Sequence, residues 1–244
     1  MGALFVGWDV GAWNCDRNRE SRDALCVLEE RDGLPAVLGT PWWGNLGSLL
    51  VSHRGAALVD QPLRAAGVES APGQKVTIAI DAALGWPRAM IELATAGKIV
   101  AVPDKADSNP YLFRAQDRAL FQQGLRPLSA VRDMIGSQST KGIHFLSAAE
   151  LSLTSVGVWR RDGTVAIETY PAAASRNTEF ESLAAKLMNS VVGKAKSHGD
   201  AWQKDVRDAV RCALVARLHH REPQRLQSPG ADADAAEGWI WLPA

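Results

Sequence analysis

Three cysteines in 244 residues, Cys15, Cys26 and Cys212, are odd in number and lack metal-ligand spacing. Their number and spacing favour free thiols over a disulfide framework. Neither charge is in excess, with 27 Lys and Arg against 27 Asp and Glu, which argues against a general basic surface for coating nucleic acid. No apolar run is long enough to span a bilayer, and no basic leader with an apolar core precedes the first strand. The expectation is a cytoplasmic protein without a membrane partner. A Gly-x-Ser-x-Gly elbow and a Walker phosphate loop are missing, so serine-hydrolase and nucleoside-triphosphatase readings lack support. The five histidines, His53, His144, His198, His219 and His220, show no metal-binding spacing. The last two, near a helix end, read as a surface pair that offsets the helix dipole.

What is present is a set of acids placed against apolar elements. Asp9 closes the run Leu4-Phe5-Val6-Gly7-Trp8 and Asp81 closes Val76-Thr77-Ile78-Ala79-Ile80, both of which read as buried strands. Glu168 sits in Thr164 to Pro171, and Asp208 in a long C-terminal helix. Taken singly, each acid is more readily a turn or cap residue. Together they suggest four segments converging at one sheet edge, where carboxylates repel unless a cation neutralises them.

The length suits one domain, residues 1–244, with a proper core. The spacing predicts a hairpin with arms 24–29 and 34–39 turning through Asp32-Gly33, which makes the opening a three-stranded meander. Residues 46–66 read as helix and 87–96 as a short one. Asn109-Pro110 reads as the start of a helix over 111–123, which puts Arg114 and Arg118 one turn apart on one face. A second hairpin is expected from 153–159 and 164–170 through Asp162-Gly163, stopped by Pro171. Two helices follow, over 178–197 and 200–221, broken at His198-Gly199. Residues 227–238 read as a flexible linker to a short docking strand at Trp239-Ile240-Trp241-Leu242. Cations gather locally: residues 109–145 hold five Lys and Arg against two Asp, and residues 186–221 hold eight against three. The nine tryptophans include Trp8 and Trp86 beside the acids, more readily core or lid than base-stacking platforms.

The stretches Phe5-Val6-Gly7-Trp8-Asp9, Ile80-Asp81-Ala82-Ala83-Leu84-Gly85-Trp86-Pro87, Ile167-Glu168-Thr169-Tyr170-Pro171 and Asp205-Val206-Arg207-Asp208-Ala209 resemble the motifs of a family of uncharacterised domains described as predicted ribonuclease-H-like nucleases. The resemblance extends to Asn109 through Arg118 and to Arg126 through His144. It departs at Ala83, where the family commonly carries proline. It implies an α/β fold with a ribonuclease-H-like mixed sheet, an antiparallel three-strand meander continued by parallel strands and flanked by helices.

The chemistry the resemblance implies is metal-dependent phosphodiester hydrolysis of DNA or RNA, with two Mg²⁺ or Mn²⁺ ions about 3.5–4 Å apart. Hard cations take oxygen ligands, so carboxylates suit and thiols do not. Asp9 would bridge the ions, Asp81 and Asp208 would each complete one shell, and Glu168 would be a further ligand or orient water. Periodicity leaves Asp205 and Asp208 both open as the helix ligand; the resemblance favours Asp208. Arg114, Arg118 and Lys141 would clamp phosphate. Two other classes compete: an inactive nucleic-acid- or protein-binding scaffold of the same fold, and an actin-like phosphotransferase. The latter fits Asp9-Val10-Gly11 but lacks a second, repeated half.

Overall fold

Strand β1 (Leu4–Asp9) buries both of its faces, with Leu4, Val6 and Trp8 in one apolar cluster and Phe5 in another. A strand apolar on both faces belongs inside a sheet covered by helices on either side. The computed structural model describes residues 2–17, 22–192 and 199–244. Its strands form one open, mixed sheet. Beyond β1 these are β2 (Asp23–Arg31), β3 (Leu34–Gly44), β4 (Val76–Asp81), β5 (Ser152–Ser155), β6 (Val158–Arg161), β7 (Thr164–Thr169) and β8 (Ile240–Trp241). The order is β3-β2-β1-β4-β7-β6-β5, with β8 added to β7. The meander β1–β2–β3 is antiparallel, β1, β4 and β7 run parallel, and β7, β6 and β5 return antiparallel.

One face of the sheet is covered by α1 (Gly47–Ser52), α2 (Gly55–Ala65) and α5 (Gly136–Ala148). The other carries α6 (Pro171–Ala174), α7 (Thr178–Val192) and α8 (Gly199–Arg221). Helix α3 (Arg88–Ala96) and α4 (Ala115–Gln122) lie in the long connection between β4 and α5. Trp8, Phe5, Phe145 and Trp202 are among the largest fully buried side chains, each contributing roughly 1.5–3 kcal/mol by area.

The Asp-Gly turn is where the sequence places it, with Asp32 and Gly33 at φ 52° and 78° as a tight hairpin requires. Several expectations change. The helix expected over 46–66 is two helices, because the chain is extended at His53 and Arg54 and resumes as helix at Gly55 with φ 55°. The arm expected over 153–159 is itself a hairpin, β5 and β6, turning at Gly157 (φ 67°). Helix α5 carries glycines and serines with little apolar periodicity, and sequence reading passes over it. The helix expected from Tyr111 starts at Ala115 instead, because Asn109 closes a local turn onto the Tyr111 amide and Asp117 caps the helix from within its first turn. The expected helical residues 193–197 and the break at His198 lie outside the described residues.

Residues 227–238 are pinned at several points. Gln227 donates its amide to Leu242, Arg88 pairs with Asp234, and Glu237 receives the amides of Arg88 and Ala115. The docking strand is present as β8, alongside the end of β7. The last two histidines are packed on aromatics, His219 on Trp241 and His220 on Phe5, and burial pushes the His219 pKa down to about 4. His219 is therefore neutral near pH 7 and offsets no dipole. No helix among the described residues is long and apolar enough to cross a membrane.

Candidate functional site

Asp9 and Asp81 are direct partners on adjacent parallel strands. Paired residues in a parallel ladder project to the same side, and neighbouring strands lie about 4.8 Å apart. That side is the one α8 covers, since Gly7 two residues earlier faces it. A Cβ at Gly7 would stand 1.9 Å from the Ala209 carbonyl oxygen and 2.3 Å from the Ala213 nitrogen. Only glycine lets the α8 backbone come this close to β1, and that contact carries Asp205 and Asp208 toward the strand ends.

The two strand acids are partly buried, and among the described residues neither accepts a hydrogen bond. Burial pushes the Asp9 carboxyl well above the usual carboxylate range, helped by Asp81, Asp208 and Asp205 and opposed by Lys204. Asp81 is raised in the same way, by burial first and then by Asp208 and Glu168, again opposed by Lys204. Asp208 is also raised by burial, although Arg211 and Lys204 hold it down in part. Beneath them burial lifts the Cys212 thiol, and Asp81, Asp9 and Asp208 lift it further. Negative charge is concentrated here without full compensation.

Parity separates Glu168 from this group. In the ladder it pairs with Ile80, not Asp81, so its side chain leaves the sheet on the opposite face. There it is 2% exposed and takes Arg114 Nη2 at 2.7 Å, Arg114 Nη1 at 2.8 Å and the Leu84 amide at 2.8 Å. Burial outweighs these partners and raises its pKa. Arg114 is equally committed, since it also pairs with Asp117 and the Glu237 carbonyl. The expected phosphate clamp is thus spent internally. Arg118, a full turn into α4, donates to the Phe113 carbonyl at 2.7 Å. Lys141 is fully buried, its Nζ on Asp23 Oδ2 and near the Gly11 and Ala12 carbonyls and Asn45 Oδ1.

The same buried network shapes the loop after Asp9. Asp23 also takes the Trp8 indole at 3.0 Å, the Gly11 amide at 2.8 Å and the Leu46 amide at 2.7 Å. Trp8 is therefore core, as the more ordinary reading holds. The two acids of α8 differ in their partners. Asp205 is 2% exposed and accepts from the Trp43 indole at 2.9 Å and the Arg22 amide at 3.1 Å, tying α8 to the meander. Among the described residues Asp208 is bound only by Arg211, at 2.7 Å, and keeps a solvent-facing side. Asp23 and Lys204 escaped sequence reading. Asp23 begins its strand like any turn residue, and Lys204 stands one helical turn before Asp208 in a stretch whose cations resemble a solvated face.

Asp9, Asp81 and the buried Glu168–Arg114 pair border a cleft of about 200 Å³, whose other walls include Leu128, Gln138 and Tyr170. Larger hollows, about 510 Å³ between β3 and α7 and about 660 Å³ between α7 and the end of α8, contain no carboxylate pair. Charge, not size, locates the site. Among the described residues no set of three or more His, Cys, Asp or Glu side chains is already gathered around one point as metal ligands. The donors nonetheless suit a hard cation, because Mg²⁺ commonly takes one or two carboxylates and fills its shell with water and substrate phosphate. Compared with protein-family models, curated proteins and solved structures, the chain matches none.

Proposed function

We propose that the chain is a metal-dependent nuclease, hydrolysing phosphodiester bonds at the carboxylates that face α8. The observation that carries this reading is the in-register pair Asp9 and Asp81, side by side and without hydrogen-bond partners among the described residues, both raised by burial first and then by neighbouring carboxylates, Asp81 and Asp208 for Asp9 and Asp208 and Glu168 for Asp81. A sheet that keeps such repulsion in a cleft is arranged for a cation. The antiparallel meander continued by parallel β4 and β7 supports a ribonuclease-H-like arrangement of the kind the sequence motifs imply.

Asp9 and Asp81 would hold Mg²⁺ or Mn²⁺, with Asp208 of α8 as a third carboxylate nearby. When bound, the ion supplies charge neutralisation on phosphoryl oxygens and a more acidic water. Asp205 and Asp23 fix α8 and the loop after Asp9, and so hold the carboxylates in position. Glu168 and Arg114 neutralise one another and form the back of the cleft.

The test combines binding and turnover. Millimolar Mn²⁺ should raise the melting temperature of the wild type by mass action. Cleavage of labelled single- and double-stranded DNA and RNA should require the metal and fall by about 10²-fold or more in Asp9→Asn and in Asp81→Asn. A melting temperature indifferent to Mn²⁺, together with no cleavage of any of these substrates, would instead leave a binding scaffold of the same fold.

A further inference from the structure

The three cations expected to meet phosphate are all engaged within the protein, which leaves the substrate's charge without a partner at the site. Lys204 is the cation placed to meet it. It lies on α8 four residues before Asp208, so the two share a helix face. It is exposed, and among the described residues it makes neither an ion pair nor a hydrogen bond. The contact at Gly7 lays α8 along β1, and this brings the Lys204–Asp208 face to the end of the sheet that carries Asp9 and Asp81. Three cations near it are held by partners. Arg114 holds Glu168, Arg211 holds Asp208 and Glu181, and Arg176 holds the Gln123 and Gly124 carbonyls.

We propose that Lys204 is a substrate-binding residue that contacts the phosphodiester oxyanion, and that before a divalent ion arrives it serves as the mobile counter-charge of Asp9, Asp81 and Asp208. This rests on the metal-dependent reading above. A flexible ammonium on a four-carbon stem suits such an exchange better than a guanidinium fixed by two hydrogen bonds. It forms no ion pair with the carboxylates, yet its charge is near enough to offset theirs in part. With the carboxylates neutralised by a bound divalent ion, the ammonium would be free to meet phosphate.

The two roles give opposite signs for one substitution. Lys204→Gln should bind Mn²⁺ more tightly than wild type, by roughly 3- to 10-fold for one nearby unit charge removed from a partly solvated site. The same variant should bind a labelled single-stranded oligonucleotide more weakly in Ca²⁺, with its log–log salt slope reduced by about 0.7 for one lost phosphate contact. Lys204→Arg should recover the oligonucleotide contact. Lys186→Gln, which removes an exposed cation from α7, should match wild type in both measurements. A slope and Mn²⁺ affinity in Lys204→Gln equal to wild type would overturn the proposal. If wild type binds no Mn²⁺ while the slope still falls in Lys204→Gln, the metal reading fails and the phosphate contact stands. An unchanged slope removes Lys204 from the substrate site whatever the metal does.

Discussion

Two carboxylates whose folded pKa values lie above their unfolded ones make the metal-free protein respond to acid in an unusual direction. The folded state holds protons at Asp9 and Asp81 that the unfolded chain releases. Their contribution is therefore fully present below the unfolded carboxylate pKa, and it is lost as the pH rises through the raised folded values. In chelator, the melting temperature of wild type should fall from mildly acidic to neutral pH over that window. Asp81→Asn should flatten the fall and be more stable than wild type at neutral pH. Thermal unfolding of both proteins between acid and neutral pH, with and without Mn²⁺, checks the sign. Equal pH profiles for the two proteins would mean that the acids do not repel.

Among the elements, α8 does most to place the site, and its seat is a single residue. Gly7→Ala would set a methyl group against the backbone of α8 at Ala209 and Ala213. Neither strand nor helix can yield there without shifting, so a loss of about 3 kcal/mol or more is expected, toward the upper end for overpacking. Denaturant unfolding measures it, and a neutral result would contradict the seating of α8 on β1. The meander, the Asp-Gly turn, the paired strand-end acids and the docking strand were legible in the sequence because period-two patterns and turn chemistry are local signals. The partners of the charged residues were not. Arg114 and Lys141 look like surface cations until the fold buries them against Glu168 and Asp23, which lie 54 and 118 residues away. Helix α5 was missed because glycine and serine blur its apolar stripe. The side taken by Glu168, by contrast, was implicit in the parity of its strand once the register with β4 is known. Asp205 and Asp208 could be told apart only by seeing Trp43 and Arg22 reach the first.

Across the whole molecule, the segment 226–244 acts as a strap over the junction of β7, α3 and α4. Trp241 is 7% exposed, lies edge-on to His219, and donates its indole to the Gly157 carbonyl at 3.0 Å. Trp241→Ala should cost about 3–5 kcal/mol in denaturant unfolding, the usual range for emptying a buried aromatic site, while a cost under about 1 kcal/mol would show that the strap does not bear on the body. The way α8 lies on β1 has a further consequence, in time rather than in space. Strand β1 pairs readily with β2, the strand that follows it, but the helix that completes its acid cluster comes only after β7 in the chain. Contacts this distant in the chain close late, after local hairpins and helices have formed. A growing chain would therefore carry Asp9 and Asp81 side by side before Asp208 and Lys204 are made, and any catalytic competence would be deferred until α8 has docked.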